Sequence, residues 1–213
     1  MSLWRYEWRL LLRSGVAVNG LALLTALVIA SLVSGVHRME TQHAAIERIP
    51  ALQQADLAAV IDAHGDSIDA GHAAYYTFHP TWHAPSPLAF AAVGMRDVAP
   101  YILRVRALGL EAQIHDGDTF NPELALAGRF DFAFLLTFLL PVFVIVLFHD
   151  LRSAETASGR ERMLRALPHP LARIYARRAA VRGIALLACV VPPFVGFALH
   201  QAVQPGHIAA VVA

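Results

Sequence analysis

The residues best equipped for chemistry crowd into one stretch, DAHGDSIDAGH, which sets Asp62, His64, Asp66, Asp69 and His72 within eleven positions. Imidazole nitrogens and carboxylate oxygens at such spacings are a donor set for zinc or copper. His79 and His83 of FHPTWH follow a few residues later. Against a metal, Gly65 and Gly71 interrupt any continuous helical face. The single cysteine, Cys189, lies in a distant apolar run, so no thiolate is at hand. A solvated acidic face is the plainer reading, and neither a resident metal nor another cofactor is expected. No serine stands with a histidine and an acid in a way that would make it a nucleophile.

All seventeen basic residues are arginine, and the chain has no lysine. A phosphate-binding loop of the Walker type needs a lysine to reach the β- and γ-phosphates, and a Schiff-base enzyme needs one as its nucleophile. Neither activity is expected of this chain. If ATP drives it, another polypeptide must bind the nucleotide. No nucleic-acid partner is expected either.

The elements that carry these residues follow from composition. Of 213 residues, 57% are hydrophobic and 15% charged, outside the range of ordinary globular domains. Residues 14–36, SGVAVNGLALLTALVIASLVSGV, hold no ionisable group. At about 1.5 Å per residue they cross a hydrocarbon core of roughly 30 Å. Residues 132–148 form a second span, in which Pro141 is expected to kink the helix. Residues 183–199 form a third, in which Pro192 and Pro193 need neighbouring helices or water to satisfy the freed carbonyls. Residues 200–213 read as an extracytoplasmic loop and the first turns of a fourth helix.

Charge sets the orientation, because short cytoplasmic segments carry the arginine excess. Residues 1–13 hold three arginines against Glu7, and 149–182 hold eight against Asp150, Glu155 and Glu161. Residues 37–131 hold six arginines against twelve acids. The amino terminus and the second connection are thus expected in the cytoplasm and 37–131 outside. Within residues 1–13, Arg5, Arg9 and Arg13 recur every fourth position beside Trp4, Trp8, Leu11 and Leu12. That is the pattern of a helix lying in the headgroup region, or of a cytoplasmic extension of the first span with an aromatic belt.

The extracytoplasmic insertion, residues 37–131, is long enough for a small domain. ETQHAAIERIPALQQADLAAVIDAH has helical periodicity, interrupted or restarted at Pro50. YYTFHPTWHAPSPLAFAAVGM reads as loop around a short buried element, and DVAPYILRVRALGLEAQ as a second helix after Pro100.

Between the second and third spans stands HDLRSAETASGRERMLRALPHP. Glu155 to Leu167 reads as a short amphipathic helix with Met163, Leu164 and Leu167 on one side and Arg160, Arg162 and Arg165 around the rest. An apolar strip of this kind rests on anionic headgroups or docks into a protein groove.

Glu155, three residues, Gly159, a short helix, Leu164, then Pro168 and the basic run Arg173, Arg177 and Arg178 resemble the cytoplasmic connection of an ABC-2-type transporter permease subunit. YEWRLLLRS is similar to that family's start. NPELALAGRFDFAFLLTFLLP resembles the entry to span two in the subgroup with a large extracytoplasmic insertion. Arg160 stands where the family has threonine or serine, and the family's six spans are matched here by three and the start of a fourth. The resemblance implies an all-α polytopic membrane protein with a mainly helical insertion, acting as an exporter permease subunit. It implies three partners: a separate ABC ATPase subunit, a second permease copy or homologue, and the lipid bilayer. Glu155, Gly159, Met163, Leu164, Leu167 and Pro168 would form its ATPase-coupling surface. The alternative is a membrane-anchored extracytoplasmic sensor or metal-binding protein, with the spans as anchors.

Overall fold

The computed structural model describes residues 3–66, 70–94, 101–106, 129–166 and 170–203. The chain divides into two compact units, the first comprising Met1–Val33 with Phe132–Ala213 and the second Ser34–Asp131. Among the described residues three helices are long and apolar enough to cross a membrane. Between 17% and 28% of the residues in their apolar windows are buried within the protein. Most of the apolar surface therefore faces outward, which is tolerable only where the solvent is itself hydrocarbon. The described residues form a multi-pass helical membrane protein.

The first unit begins with α1 (Leu3–Arg13). Ser14 ends α1 as its amide reaches the Leu11 carbonyl at 3.1 Å, and the chain turns into α2 (Gly15–His64). Leu24, Val28 and Leu32, fully buried, lie on one stripe of α2 because their spacing follows the helical repeat. The second span, α4, is built from three consecutive pieces: an α-turn Phe132–Phe134, a π-helical turn Leu135–Leu139 and an α-helix Leu140–Phe148. Pro141 supplies the reason for the π turn. Its ring crowds the carbonyl four residues back, and widening the preceding turn makes room. The Leu140 amide accordingly donates to the Leu135 carbonyl, five residues back.

The segment after α4 is not the single amphipathic helix expected over Glu155–Leu167. It breaks into α5 (Ser153–Ala157) and α6 (Arg160–Arg165). Gly159 between them adopts φ 69°, ψ 1°, the left-handed conformation that a side chain disfavours. Amides of Ser158 and Gly159 close back onto the Ala154 and Thr156 carbonyls, both at 3.1 Å, and so end α5. The third span lies within α7 (Leu171–Val203), which passes through Pro192 and Pro193 without a break. Near its far end Phe194 stacks on Phe132 of α4, with ring centroids 5.1 Å apart.

In the second unit α2 continues past the expected end of the span to His64, and Pro50 does not interrupt it. Met39, Gln42 and Ile49 are buried and extend one stripe at helical spacing. Pro50 itself is exposed. Beyond the proline half-buried Gln53, Leu57, Val60 and His64 keep the helical spacing, and a stripe that stays in register outweighs the one hydrogen bond Pro50 removes. Phe90 is fully buried, and its backbone comes so close to Gly35 that a Cβ there would overlap the Phe90 carbonyl. Ser34 donates to the Phe130 carbonyl at 3.2 Å, and the buried Asp131 accepts the Val93 amide at 3.0 Å.

After α3 (Ala70–Tyr76), β1 (His79–Trp82) pairs antiparallel with β2 (Ile102–Val105), His79 opposite Val105 and Trp82 opposite Ile102. The expected helix after Pro100 is thus a strand over its described part. YILRVR alternates in type and carries β-branched residues, so it fits a pleated edge better than a helical face. Pro80 sits in β1, a two-stranded edge where a missing amide is tolerated. The remaining residues of that expected helix lie outside the described set.

Candidate functional site

One stripe of α7 decides what gathers at the arginine-rich end of the first unit. Arg178, Val181, Arg182 and Ala185 recur at three- and four-residue spacing and share a face. Val181 and Ala185 are buried with Leu11 of α1 and Ala17 of α2, and Trp8 and Leu21 pack around them. Closing this apolar cluster takes the neighbouring guanidinium groups out of water. A guanidinium cannot shed its charge, so carboxylates must meet it.

Arg178, whose side chain is 10% exposed, meets two. Its Nε donates to Glu7 of α1 at 3.2 Å and its Nη1 to Glu155 of α5 at 3.0 Å, with the Leu151 carbonyl at 3.5 Å. The second oxygen of Glu155 accepts Arg160 Nε at 3.0 Å, and that nitrogen also lies 2.9 Å from Ser158 Oγ. Glu7 and Glu155 are both buried. The result is a chain of alternating charges, Glu7–Arg178–Glu155–Arg160, that joins α1, α7, α5 and the start of α6. One turn further along α7, Arg182 donates to the Leu147 carbonyl and to Asp150 Oδ1, the latter at 2.5 Å. It thereby serves the open carbonyl end of α4, where a cation is favoured.

A second cluster, with exposed arginines around a buried Glu161, braces α6. Glu161 accepts Arg165 at 2.8 Å, the Thr156 hydroxyl at 2.8 Å and Arg152 at 3.4 Å. The Arg165 hydrogen bond, with that of Thr156, holds the Glu161 carboxyl down at about 2. The group is therefore ionised at any physiological pH, and the pairing with Arg165 persists.

The residues expected at a coupling surface fall in unlike settings. Glu155 lies in the first turn of α5, near a helix start as expected, and is buried at the centre of the charge chain. Gly159 is the break between α5 and α6. Met163 is 75% exposed, whereas Leu164 is half-buried. Leu167 and Pro168 lie outside the described residues. Of the interfacial set, Arg5, Arg9, Arg13 and Trp4 are exposed on α1, while Trp8 turns toward the buried cluster. Glu7 and Arg178 are the pair that sequence reasoning missed. Glu7, the lone acid of residues 1–13, four positions before Leu11 on the same face, was the available signal.

In the second unit His64 and His72 do come together, with ring centroids 5.3 Å apart and edge to face, and Tyr76 stacks on His64 at 4.8 Å. Asp62 and Asp66 are exposed, and Asp69 lies outside the described residues. Among the described residues no three histidine, cysteine or acidic side chains converge as metal ligands. His79 instead meets Gln53, Nδ1 to Nε2 at 3.3 Å.

No family model matches the chain, and no curated protein or solved structure is significantly similar to it. The class defined by its own fold is a multi-pass membrane protein of helical spans with an inserted second unit.

Proposed function

We propose that the chain is the permease subunit of an ABC-type exporter in a bacterial inner membrane, with a cytoplasmic amino terminus and a separate ATPase subunit. The observation that carries this reading is the Glu7–Arg178–Glu155–Arg160 chain. The connection between the second and third spans is not a slack loop. It is clamped through buried ion pairs to α7 and α1, so force applied at α5 and α6 is transmitted into the spans. Anchors alone have no need of such a clamp. Met163 adds an exposed apolar tip on the same connection, suited to a groove on a partner. The permease performs no covalent chemistry and holds no cofactor. Two copies, or one copy and a homologue, would line the pathway between them.

The test is copurification from native membranes in mild detergent. A polypeptide carrying a Walker-type nucleotide site should come down in near-equal amount with the chain. Recovery of the chain with no such companion, under conditions that keep it folded, would overturn the reading.

Orientation gives an independent expectation. On a Cys189→Ala background, a membrane-impermeant thiol reagent should modify Asp66→Cys in intact cells and Ser158→Cys only after lysis. Both positions are exposed, so access alone decides the outcome. The reverse labelling would refute the cytoplasmic location of α5 and α6.

A further inference from the structure

Between α1, the start of α2, the end of α4, α5 and α7 lies a cleft of about 390 Å³ with two unlike walls. Leu10, Val16, Ala17, Val146 and Val181 form the apolar wall. The polar wall sets Arg160, Arg178 and Arg182 against Glu7, Asp150 and Glu155. Ser14 and Val16 open the first apolar run, Leu147 is near the close of the second, and Arg182 immediately precedes the third. The cleft therefore lies at the depth where all three spans leave hydrocarbon for the headgroup layer.

Some of the polar wall is spoken for and some is not. Arg178 is buried between two carboxylates. Arg182 uses Nη1 for the Leu147 carbonyl and Asp150, and Arg160 uses Nε for Glu155 and Ser158. A guanidinium carries five N–H donors, so both keep donors for an oxyanion. Arg160 is 61% exposed and Asp150 43%, which leaves each open to a ligand. Three cations and three anions cancel, so a singly anionic ligand would leave net negative charge beside three carboxylates. A ligand carrying both signs would not.

We propose that the cleft seats one zwitterionic aminophospholipid of the bilayer. Its phosphate lies against Arg182 and Arg160, its primary ammonium against Asp150, and the start of an acyl chain along Leu10, Val16 and Val146. Phosphate oxygens accept the forked guanidinium donors. A primary ammonium donates hydrogen bonds to a carboxylate, which a quaternary ammonium cannot. The proposal rests on the membrane reading alone and not on the ATPase partner, so the two fail separately.

The full chain, reconstituted in nanodiscs of equal phosphatidylethanolamine, phosphatidylcholine and phosphatidylglycerol and then released for intact mass measurement, should retain one phosphatidylethanolamine. Arg182→Gln should lower that retention about tenfold by removing a charge-assisted contact. Val16→Trp, at a position 67% exposed on the cleft rim, should do the same by filling the slot without touching an ion pair. Millimolar phosphoethanolamine lacking acyl chains should not displace the lipid. If Arg182→Gln fails to fold, Val16→Trp decides. Equal or preferred retention of phosphatidylglycerol or phosphatidylcholine, displacement by the free headgroup, or unchanged retention in folded Val16→Trp would each overturn the proposal.

Discussion

Replacing Arg178 with methionine is expected to lower the thermal midpoint of the purified protein by on the order of 10 °C, the largest stability effect of any single substitution in the first unit. Breaking a buried ion pair from one side costs roughly 3–5 kcal/mol because the remaining charge is left without a partner. For a domain of this size each kcal/mol moves the midpoint by about 2–4 °C. Here two carboxylates are stranded, Glu7 at 7% and Glu155 at 6% exposure, although Glu155 keeps Arg160. Arg178→Lys should fall between the two, since an ammonium retains the charge but not the fork that reaches both acids. The triple change Glu7→Gln, Glu155→Gln, Arg178→Met should recover most of the loss, because it removes the buried charges together. A single Arg178→Met with a midpoint within about 1 °C of the parent would mean that the charge chain does not bind α1, α5 and α7 to one another.

The second large effect concerns a partner instead of the fold. Met163→Asp is expected to abolish recovery of the proposed ATPase partner while leaving the chain at its normal membrane level and midpoint. Met163 is 75% exposed, so a carboxylate there costs the isolated chain little, within about 0.5 kcal/mol for an ordinary surface change. In a groove the same carboxylate is desolvated among apolar groups, at a cost of several kcal/mol. Each 1.4 kcal/mol is about tenfold in affinity, so a loss of more than about a hundredfold is expected. Leu164→Asp is the less informative change, because Leu164 is half-buried and its substitution damages the fold as well. Glu155→Ala, which from sequence alone would remove only a favourable contact with a helix terminus, should instead behave as a milder Arg178→Met. It takes away one of two acids that neutralise a buried guanidinium.

What the sequence disclosed and what it withheld divide along sequence separation. The spans were legible because long uncharged runs need no knowledge of neighbours. The amphipathic Leu3–Arg13 helix was legible for the same reason, since a 3.6-residue repeat is a local property. Local signals also misled. Pro50 argues for a break in α2, but the stripe through Met39, Gln42 and Ile49 carries on beyond it in half-buried Gln53, Leu57 and Val60, and it prevails. Gly159 ends α5 through its left-handed conformation, which the amphipathic pattern of Glu155–Leu167 does not register, so that pattern merges α5 and α6 into one helix. Ile102–Val105 alternates over too few residues to outweigh a helical reading until its pairing with His79–Trp82 is known.

The charge chain was beyond reach for a different reason. Glu7 and Arg178 are 171 residues apart, and Glu155 and Arg178 are 23 apart, so nothing in either local window marks them as partners. A count of charges by segment gives all three the same expected side of the membrane without bringing them together. Only the packing of Val181 and Ala185 against Leu11 and Ala17 does so.

The central claim is that the connection carrying α5 and α6 is the docking surface of an ATPase. A photo-crosslinking amino acid at position 163, irradiated in native membranes and analysed by mass spectrometry, tests it at the residue concerned. The account predicts one dominant protein adduct, to a chain with a lysine-bearing nucleotide-binding loop, and loss of that adduct when Arg178→Met loosens the charge chain. Crosslinks to lipid alone, with no protein adduct at the full membrane level of the chain, would contradict it and leave α6 as a helix resting on headgroups.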